Sequence, residues 1–242
     1  MKQIIYSLSI WTASFLSSCT GIDNYSAPDS RMSGNVIDQT TGMNLLTGQN
    51  EFTIRLWEMS WSDNPAPQDI PVAQDGAYNN TKLFDAMYDM EPYGGPFWPV
   101  DRLEGMQLKG ALTQDFEVIP YLHVTDVTQT LEDNMLQLTC KLQAPVTLNL
   151  PMVRDIRPFV SLTRLCSNTS KIDEYADNKY SVQVNRNWEN IGDMYTGVGN
   201  NTYTLPDLPL KSGRTYYVRI GVRVNDTYQK YNYSEIFSVT VP

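Results

Sequence analysis

The stretch Met135-Leu136-Gln137-Leu138-Thr139-Cys140-Lys141-Leu142 alternates apolar and polar residues strictly. Successive side chains of a β-strand point to opposite faces, so such a pattern is typical of a strand with one buried face. Leu136, Leu138, Cys140 and Leu142 are therefore predicted to face a core. Cys140 is then a small core residue.

The same period of two recurs along the chain. In Phe52-Thr53-Ile54-Arg55-Leu56-Trp57-Glu58 it directs Phe52, Ile54 and Leu56 inward and leaves Arg55 and Trp57 on the outer face. Further strands are predicted at 82–88, with a tight bend, and at 116–124, 158–165, 180–186 and 236–241, and another follows the turn within 205–220. Turn residues separate them, and no helical period of useful length is present. An all-β fold of two tandem β-sandwiches is predicted.

The segment 205–220 carries the most specific motif. Leu210, Gly213 and Tyr216 are spaced like the tyrosine corner of fibronectin type III domains, although Ser212 stands where that family usually has proline. This resemblance implies an immunoglobulin/fibronectin III-like second sandwich in which the Tyr216 hydroxyl bonds nearby backbone. The resemblance also implies four core residues on the following strand: Val218, Ile220, Val222 and Val224.

The first half contains Gly34-x-Val36-x-Asp38-x-x-Thr41-Gly42, then Asp75-Gly76-x-Tyr78 and Leu83-x-x-x-x-Tyr88. The Asp38–Gly42 segment is predicted to turn the chain, with Gly42 at positive φ. Together the motifs resemble the transthyretin-like, or carboxypeptidase-regulatory, β-sandwich, which is non-catalytic. The predicted domains are 32–128, transthyretin-like, and 129–242, fibronectin III-like.

The chain begins with the features of an exported lipoprotein. Lys2 precedes a short apolar run, Ile4 to Leu16, and small residues lead to Cys19. The run is shorter than the roughly 20 apolar residues of a membrane span. Leu16-Ser17-Ser18-Cys19 resembles the bacterial lipoprotein box, and an ordinary secreted leader is the alternative. The prediction is a signal peptide at 1–18 and a lipidated tether at 19–31, with lipid on Cys19 as the only membrane contact.

The distribution of charge along the chain limits the classes of molecule that can be binding partners. Residues 19–128 contain 16 Asp or Glu against five Lys or Arg, whereas residues 129–242 contain 11 against 12. An acidic first half argues against nucleic acid and anionic membrane surfaces as partners.

Cys140 and Cys166 are predicted to form either one disulfide or two buried free thiols.

An aromatic loop is the candidate binding region. The segment 90–100 holds three prolines, two glycines and three aromatic residues, so it is predicted to be neither a central strand nor a helix. Aromatic rings beside polar groups can stack on sugars. The candidate glycan-binding residues are Trp57, Trp61, Tyr93, Phe97 and Trp98. Two alternatives are that Phe97 and Trp98 cap the open end of the sandwich, and that binding occurs in the second domain around Trp188 and Tyr195.

Little in the sequence favours catalysis. His123 is the only histidine and is predicted to be an ordinary surface residue. No G-x-S-x-G elbow, zinc-ligand spacing or EF-hand loop occurs, so no catalytic residue, metal or cofactor is predicted. Glycoside hydrolysis requires only two carboxylates and therefore stays open as an alternative.

Across its length the chain resembles a family of uncharacterised two-domain outer-membrane lipoproteins of anaerobic gut bacteria. The motifs that carry the resemblance are Cys19 to Tyr25, Gly34 to Gly42, Asp75 to Pro99 and Asp115 to Tyr121. Members are similar to products encoded beside a TonB-dependent transporter and its glycan-capturing lipoprotein. The resemblance implies a cell-surface protein that binds or helps deliver polysaccharide or oligosaccharide. A scaffold of the transporter complex without glycan binding is the alternative.

Overall fold

The computed structural model describes residues 27–188 and 201–242. These residues form β-strands and two single-turn 3₁₀ helices, Asp173–Tyr175 and Asn178–Tyr180. The first-domain strands are β1 (Ser30–Asp38), β2 (Met43–Asn44), β3 (Thr53–Glu58), β4 (Gln68–Pro71), β5 (Ala77–Leu83), β6 (Ala86–Tyr93), β7 (Leu103–Leu108), β8 (Ala111–Thr113) and β9 (Phe116–Val118). The second-domain strands are β10 (His123–Glu132), β11 (Met135–Gln143), β12 (Val153–Ser161), β13 (Val182–Arg186), β14 (Tyr203–Pro209), β15 (Arg214–Val224), β16 (Tyr231–Tyr233) and β17 (Phe237–Val241).

Two sheets face each other in the first domain. One has the order β2-β1-β5, with β8 and β9 paired in parallel to β1, and the other has the order β4-β3-β6-β7. Their inner faces enclose one apolar core. The alternation predicted for 52–58 is confirmed, since Phe52, Ile54 and Leu56 are buried while Arg55 and Trp57 are half-buried on the outer face.

The predicted turn at Asp38–Gly42 is confirmed in detail. The Asp38 carboxylate accepts hydrogen bonds from the Thr40 backbone N–H at 2.9 Å and the Thr40 hydroxyl at 2.6 Å. Gly42 lies at φ +71°, a conformation that costs glycine nothing. The turn joins β1 to β2 and projects toward the second domain, where it contacts His123.

Two strand predictions in the first domain are wrong in their limits. The segment 82–88, predicted as one strand with a tight bend, belongs to two strands, because β5 ends at Leu83 and β6 begins at Ala86 in the opposite sheet. The predicted loop 90–100 begins inside β6, which continues to Tyr93. Pro92 is tolerated there because β7 pairs with β6 only as far as Met90, so the missing N–H falls on an unpaired edge.

The second domain is a sandwich of a three-stranded and a larger sheet. The order β10-β11-β14 faces β13-β12-β15-β16, and β17 also pairs with β15. Leu136, Leu138, Cys140 and Leu142 are all buried between them, as their alternation predicts. The strand predicted at 158–165 is wrong in its limits. The observed strand β12 spans Val153–Ser161, and residues 162–165 follow it as exposed residues outside the sheet.

The tyrosine corner is present. The Tyr216 hydroxyl accepts from the Lys211 backbone N–H at 3.1 Å and donates to the Lys211 carbonyl at 3.3 Å. Leu210 is buried and Gly213 takes φ +73°, as the resemblance implies. The core positions of the same strand are also buried: Val218, Ile220, Val222 and Val224.

The sheets divide the chain earlier than the predicted boundary at residue 128. The predicted strand 116–124 is interrupted at Pro120, with β9 ending in the first sandwich and β10 pairing with β11 in the second. A boundary at 128 would cut β10 in half. The first sandwich also starts earlier than predicted, because Ser30 and Arg31, assigned to the tether, are the first residues of β1. Residues 1–26, including Cys19, lie outside the described part of the chain.

Both described cysteines are free and buried, which confirms the free-thiol alternative. Burial raises the pKa of the Cys140 thiol to about 12 and that of the Cys166 thiol to about 11. A thiol with so high a pKa is protonated at neutral pH and unreactive as a nucleophile. The cysteines therefore serve packing.

Candidate functional site

The outward surface of the sheet β4-β3-β6-β7 gathers aromatic and charged side chains. Register places Arg55 of β3 opposite Glu91 of β6 and Trp57 opposite Asp89, and Tyr93 opposite Thr53. Directly paired residues of antiparallel strands share one face of a sheet. We call this surface the outer face, and its members are Arg55, Trp57, Asp69, Met87, Asp89, Glu91, Tyr93 and Arg102.

A row of alternating charges crosses the outer face. Arg55 donates to both carboxylate oxygens of Asp69, Nε to Oδ1 at 2.8 Å and one terminal nitrogen to Oδ2 at 2.9 Å. Arg102 Nε lies 3.6 Å from the Glu91 carboxylate. The hydrogen bonds from Arg55 lower the pKa of Asp69, and the pKa of Arg55 is raised in turn. The row is electrically balanced, with two carboxylates and two guanidinium groups.

Each arginine of this row also stacks on an aromatic ring. The Arg102 guanidinium carbon lies 3.5 Å from the centroid of the Trp57 ring, and that of Arg55 lies 3.6 Å from the centroid of the Tyr93 ring. Such cation–π contacts at exposed sites are worth about 0.5–1 kcal/mol. They hold the two rings in fixed orientations along the sheet.

The second domain contributes Tyr228 to one end of the outer face. Its ring centroid lies 5.4 Å from that of Tyr93, at an interplanar angle of 67°. Hydrogen bonding between the two hydroxyls lowers the pKa of Tyr93 and raises that of Tyr228 to about 12. Gly94, which follows Tyr93, has φ +78°, a backbone conformation that side-chain-bearing residues rarely adopt.

Trp61 lies beyond the opposite end, in the loop that follows β3, and 63% of its surface is exposed. The nearby Met87 of β6 is 44% exposed, and its backbone N–H donates to the Ser60 hydroxyl at 3.1 Å. Sequence reasoning found Trp57, Trp61 and Tyr93. It missed Met87, Arg102 and Tyr228, since their place on this surface depends on strand order and on the packing of the second domain.

Phe97 and Trp98 are not part of the outer face. Phe97 is 5% exposed and packs edge-to-face on Phe52 at 5.3 Å in the first-domain core. Trp98 packs on Tyr121 at 5.3 Å and against the core of the second domain. The prediction that Phe97 stacks on a glycan is wrong because its ring is buried. The alternative, in which both residues fold back, describes their packing.

A cleft between the two domains is the second candidate region. It has a volume of about 480 Å³ and lies between the β1–β2 turn, the domain junction and the residues after β16. His123 stands at its wall, with Nε2 2.7 Å from Asp38 Oδ2. The prediction of an ordinary surface histidine is therefore wrong, because Asp38 of the first domain half-buries and pairs it.

The second-domain positions predicted as an alternative binding region give little support for a site there. Trp188 is half-buried and packs against the second-domain core, and Tyr195 lies outside the described residues. Within residues 27–188 and 201–242, no group of three or more His, Cys, Asp or Glu side chains is arranged to hold a metal ion. In the same ranges no helix is long and apolar enough to cross a membrane.

Family comparison identifies the two domains. Residues 30–119 match the N-terminal domain of the protein of unknown function DUF3823, and residues 122–238 match the domain of unknown function DUF3823_C. The chain belongs to the DUF3823 family. The division between the two matches falls where the sheets divide, at Pro120.

Solved DUF3823 structures share the architecture. A DUF3823 family protein from Bacteroides uniformis ATCC 8492 has a TM-score of 0.71 at 25% identity, covering 89% of this chain and 100% of that one. Another from Parabacteroides merdae ATCC 43184 has a TM-score of 0.64 at 20% identity, covering 89% and 100%. A protein from Bacteroides uniformis described as a "putative carbohydrate binding protein" has a TM-score of 0.72 at 22% identity, covering 88% and 100%. No curated protein matches the sequence.

Proposed function

We propose that this DUF3823 protein is a non-catalytic, lipid-anchored protein of the outer-membrane surface that binds polysaccharide or oligosaccharide on the outer face. It would deliver the glycan to a TonB-dependent uptake system and its glycan-capturing lipoprotein. The observation that carries the proposal is the pair of arginine-stacked rings, Trp57 and Tyr93, set among charged hydrogen-bonding groups on an open sheet surface. The description of one structural relative as carbohydrate-binding supports it.

The chemistry of the outer face suits a sugar chain. Aromatic rings offer an apolar surface to the C–H face of a pyranose, and the Arg55–Asp69 pair can exchange hydrogen bonds with hydroxyl groups. Trp57 lies four residues along β3 from Thr53, the partner of Tyr93, so the two ring positions are about 13 Å apart along the strands. That separation exceeds one sugar ring and favours an oligosaccharide.

The charge balance of the outer face points to neutral glycans. It carries three carboxylates, Asp69, Asp89 and Glu91, against the two guanidinium groups of Arg55 and Arg102, so no excess of positive charge is present to attract a polyanion. The first half of the chain is strongly acidic in addition. A sulfated or uronate-rich glycan would therefore gain no long-range attraction.

The protonation behaviour of Asp69 disfavours it as the catalytic acid of a glycosidase. Glycoside hydrolysis requires one carboxylic acid whose pKa is raised, so that it can protonate the leaving oxygen. Hydrogen bonds from Arg55 lower the pKa of Asp69 instead. Asp69 is thus poorly suited to be the acid that hydrolysis needs.

The anchor places binding at the membrane surface. Lipid on Cys19 and the segment up to the first strand, which begins at Ser30, would hold the first domain beside the membrane. A transporter in the same membrane could then receive the bound glycan. Replacement of Cys19 by serine is expected to release the protein from the membrane fraction, and retention of the Cys19→Ser variant would contradict the lipid anchor.

Isothermal titration of the mature protein against a panel of neutral and acidic polysaccharides tests the function. We expect heat with at least one neutral polysaccharide, loss of at least tenfold in affinity for Trp57→Ala, and no release of reducing sugar. The exposed second-domain residue Leu148 provides the control variant Leu148→Ala, which should bind normally. No heat with any glycan, together with co-purification of a membrane partner, would support the scaffold alternative.

A further inference from the structure

The cleft between the domains has the dimensions of a small-molecule site. Its volume of about 480 Å³ lies within the roughly 300–1,000 Å³ of ligand pockets. One wall is the β1–β2 turn and the residues just after it, the floor is the junction from Pro120 to Thr125, and the other wall is the segment Asn232 to Glu235. Both domains therefore contribute to it.

The walls are held in place by hydrogen bonds across the junction. The buried Asn232 side chain donates to the Pro96 carbonyl at 2.9 Å and accepts from the Leu122 backbone N–H at 3.2 Å. Asp38 pairs with His123 at 2.7 Å, as described above. The cleft is thus bounded by contacts between sequence-distant segments, so its shape is set before any ligand arrives.

Apart from His123, which pairs with Asp38, the charged groups of the cleft are carboxylates. Asp38, Asp75 and Glu235 line it, and among the described lining residues there is no lysine or arginine. Asp38 is engaged by His123 and Thr40. Asp75 and Glu235 are exposed, and in the described part of the chain neither forms an ion pair. The cleft therefore complements a positively charged group and repels an anion.

The uncharged groups of the cleft are of two kinds. Hydroxyl and amide side chains can exchange hydrogen bonds with a ligand, and aliphatic side chains can pack on its carbon skeleton. The first kind includes Thr41, Asn44, Thr125 and Gln143, and the second includes Leu45, Leu46, Leu122 and Val124. A ligand that uses all three features has a cationic group, several hydroxyls and a compact ring with an apolar face.

From this lining we propose that the cleft is a second ligand site and that it binds an amino sugar through its free, protonated amino group. Asp75 and Glu235 receive the ammonium, and the amides and hydroxyls receive the ring hydroxyls. Acetylation of the amine removes the charge and adds volume, so the N-acetyl form binds weakly. The site does not depend on the outer face, because none of the outer-face residues lines the cleft.

NMR titration of the mature protein with glucosamine, N-acetylglucosamine, glucose and cyclohexylamine tests this proposal. We expect saturable shifts from glucosamine at residues of the cleft and affinity at least tenfold lower for the other three compounds. Equal binding of N-acetylglucosamine or glucose would overturn the role of the charge. Equal binding of cyclohexylamine would overturn the assignment to a sugar, and absence of any glucosamine shift would overturn the site.

Matched variants locate the binding. Asp75→Asn with Glu235→Gln should lower glucosamine affinity at least tenfold, whereas Glu104→Gln with Glu132→Gln removes the same charge from exposed positions outside the cleft and should leave it unchanged. Trp57→Ala with Tyr93→Ala should also leave it unchanged while abolishing polysaccharide binding at the outer face. Unaltered glucosamine affinity in the Asp75→Asn, Glu235→Gln variant would contradict the proposal, and so would a loss of affinity in either of the other two double variants. Thermal unfolding temperatures equal to that of the wild type would exclude misfolding as the cause of a loss.

Discussion

The molecule uses an arginine stacked on an aromatic ring in two regions with opposite surroundings. At the domain junction, the Arg219 guanidinium lies 3.6 Å from the Tyr233 ring centroid, and Arg219 is 1% exposed. On the outer face, Arg102 lies 3.5 Å from the Trp57 centroid and its side chain is 39% exposed. The contact geometry is nearly the same, and only the access of water differs.

Burial makes the junction contact part of a larger network. Arg219 donates to the Thr47 carbonyl of the first domain at 2.6 Å, and the Tyr233 hydroxyl donates to the Glu51 carboxylate at 2.7 Å. Desolvation lowers the pKa of Arg219 and, with Glu51, raises that of Tyr233. In such surroundings an unpaired charge is costly, so the junction stack stabilises the contact between the domains.

Water weakens the same contact on the outer face. Charges there are partly screened, and exposed pairs contribute roughly 0–1 kcal/mol to stability. The stack on Trp57 therefore adds little to the fold and mainly orients the ring. We infer that one contact type serves stability where it is buried and, under the proposed function, orients a binding ring where it is exposed to water.

The largest effect on stability is expected from Arg219→Ala. The substitution leaves Glu51 and Tyr233 buried without their cation, and loss of one partner of a buried charged network costs about 3–5 kcal/mol. Urea denaturation measures the change. A loss below about 1 kcal/mol would show that the junction behaves like the exposed surface and would break the comparison.

Asp38→Asn tests an intermediate case, a carboxylate buried at the rim of the cleft. Burial raises its pKa, but hydrogen bonds from Thr40 and the pair with His123 outweigh this and lower the pKa below the ordinary 3.8. A lowered pKa in the folded state gives stability that is present above pH 3.8 and is lost as pH falls through the lower folded value.

The variant should accordingly be about 1–2 kcal/mol less stable than the wild type at neutral pH, because a hydrogen bond to a charged group is lost. The difference should shrink as the pH falls below 3.8. Urea denaturation at a series of pH values measures it. A difference that stays constant down to strongly acidic pH would show that the carboxylate charge is not what Asp38 contributes.

Tyr216→Phe removes a buried hydroxyl without any charge. It loses the two hydrogen bonds to the Lys211 backbone, and we expect a loss of about 0.5–1.5 kcal/mol. Tyr217→Phe, one residue along and half-buried, is the control and should change stability less. Equal effects of the two substitutions would remove the special role of the tyrosine corner.

Arg102→Ala should have the smallest effect on stability, below about 1 kcal/mol. Its effect should appear instead at Trp57, whose fluorescence becomes more accessible to a neutral quencher when the guanidinium is removed. The exposed Arg31 supplies the control variant Arg31→Ala. A stability loss comparable to that of Arg219→Ala would contradict the distinction between the two regions.

Sequence reasoning succeeded where a few neighbouring residues determine the structure. Alternation identified the inward Leu136 and Leu138 and the outward Arg55 and Trp57, and the spacing of Leu210 to Tyr216 identified the tyrosine corner. These features depend on the local period of a strand and the reach of one side chain. They are encoded within short segments of the chain.

It failed where distant segments meet. Tyr93 and Tyr228 lie on different domains, and Asp38 and His123 are 85 residues apart. Pro92 could be placed in β6 only once the end of its pairing with β7 was known. The sequence around Phe97, with prolines on both sides, is compatible with a surface ring and with one folded into the core, and only the packing decides for the core. Strand order and domain packing decide all of these positions.

Affinity electrophoresis in gels containing the neutral polysaccharide identified by titration tests the central claim most directly. Wild-type protein and Leu148→Ala should be retarded in proportion to the polysaccharide concentration, and Trp57→Ala with Tyr93→Ala should migrate as in a gel without it. Equal retardation of the double variant would show that the outer face is not where this protein binds carbohydrate.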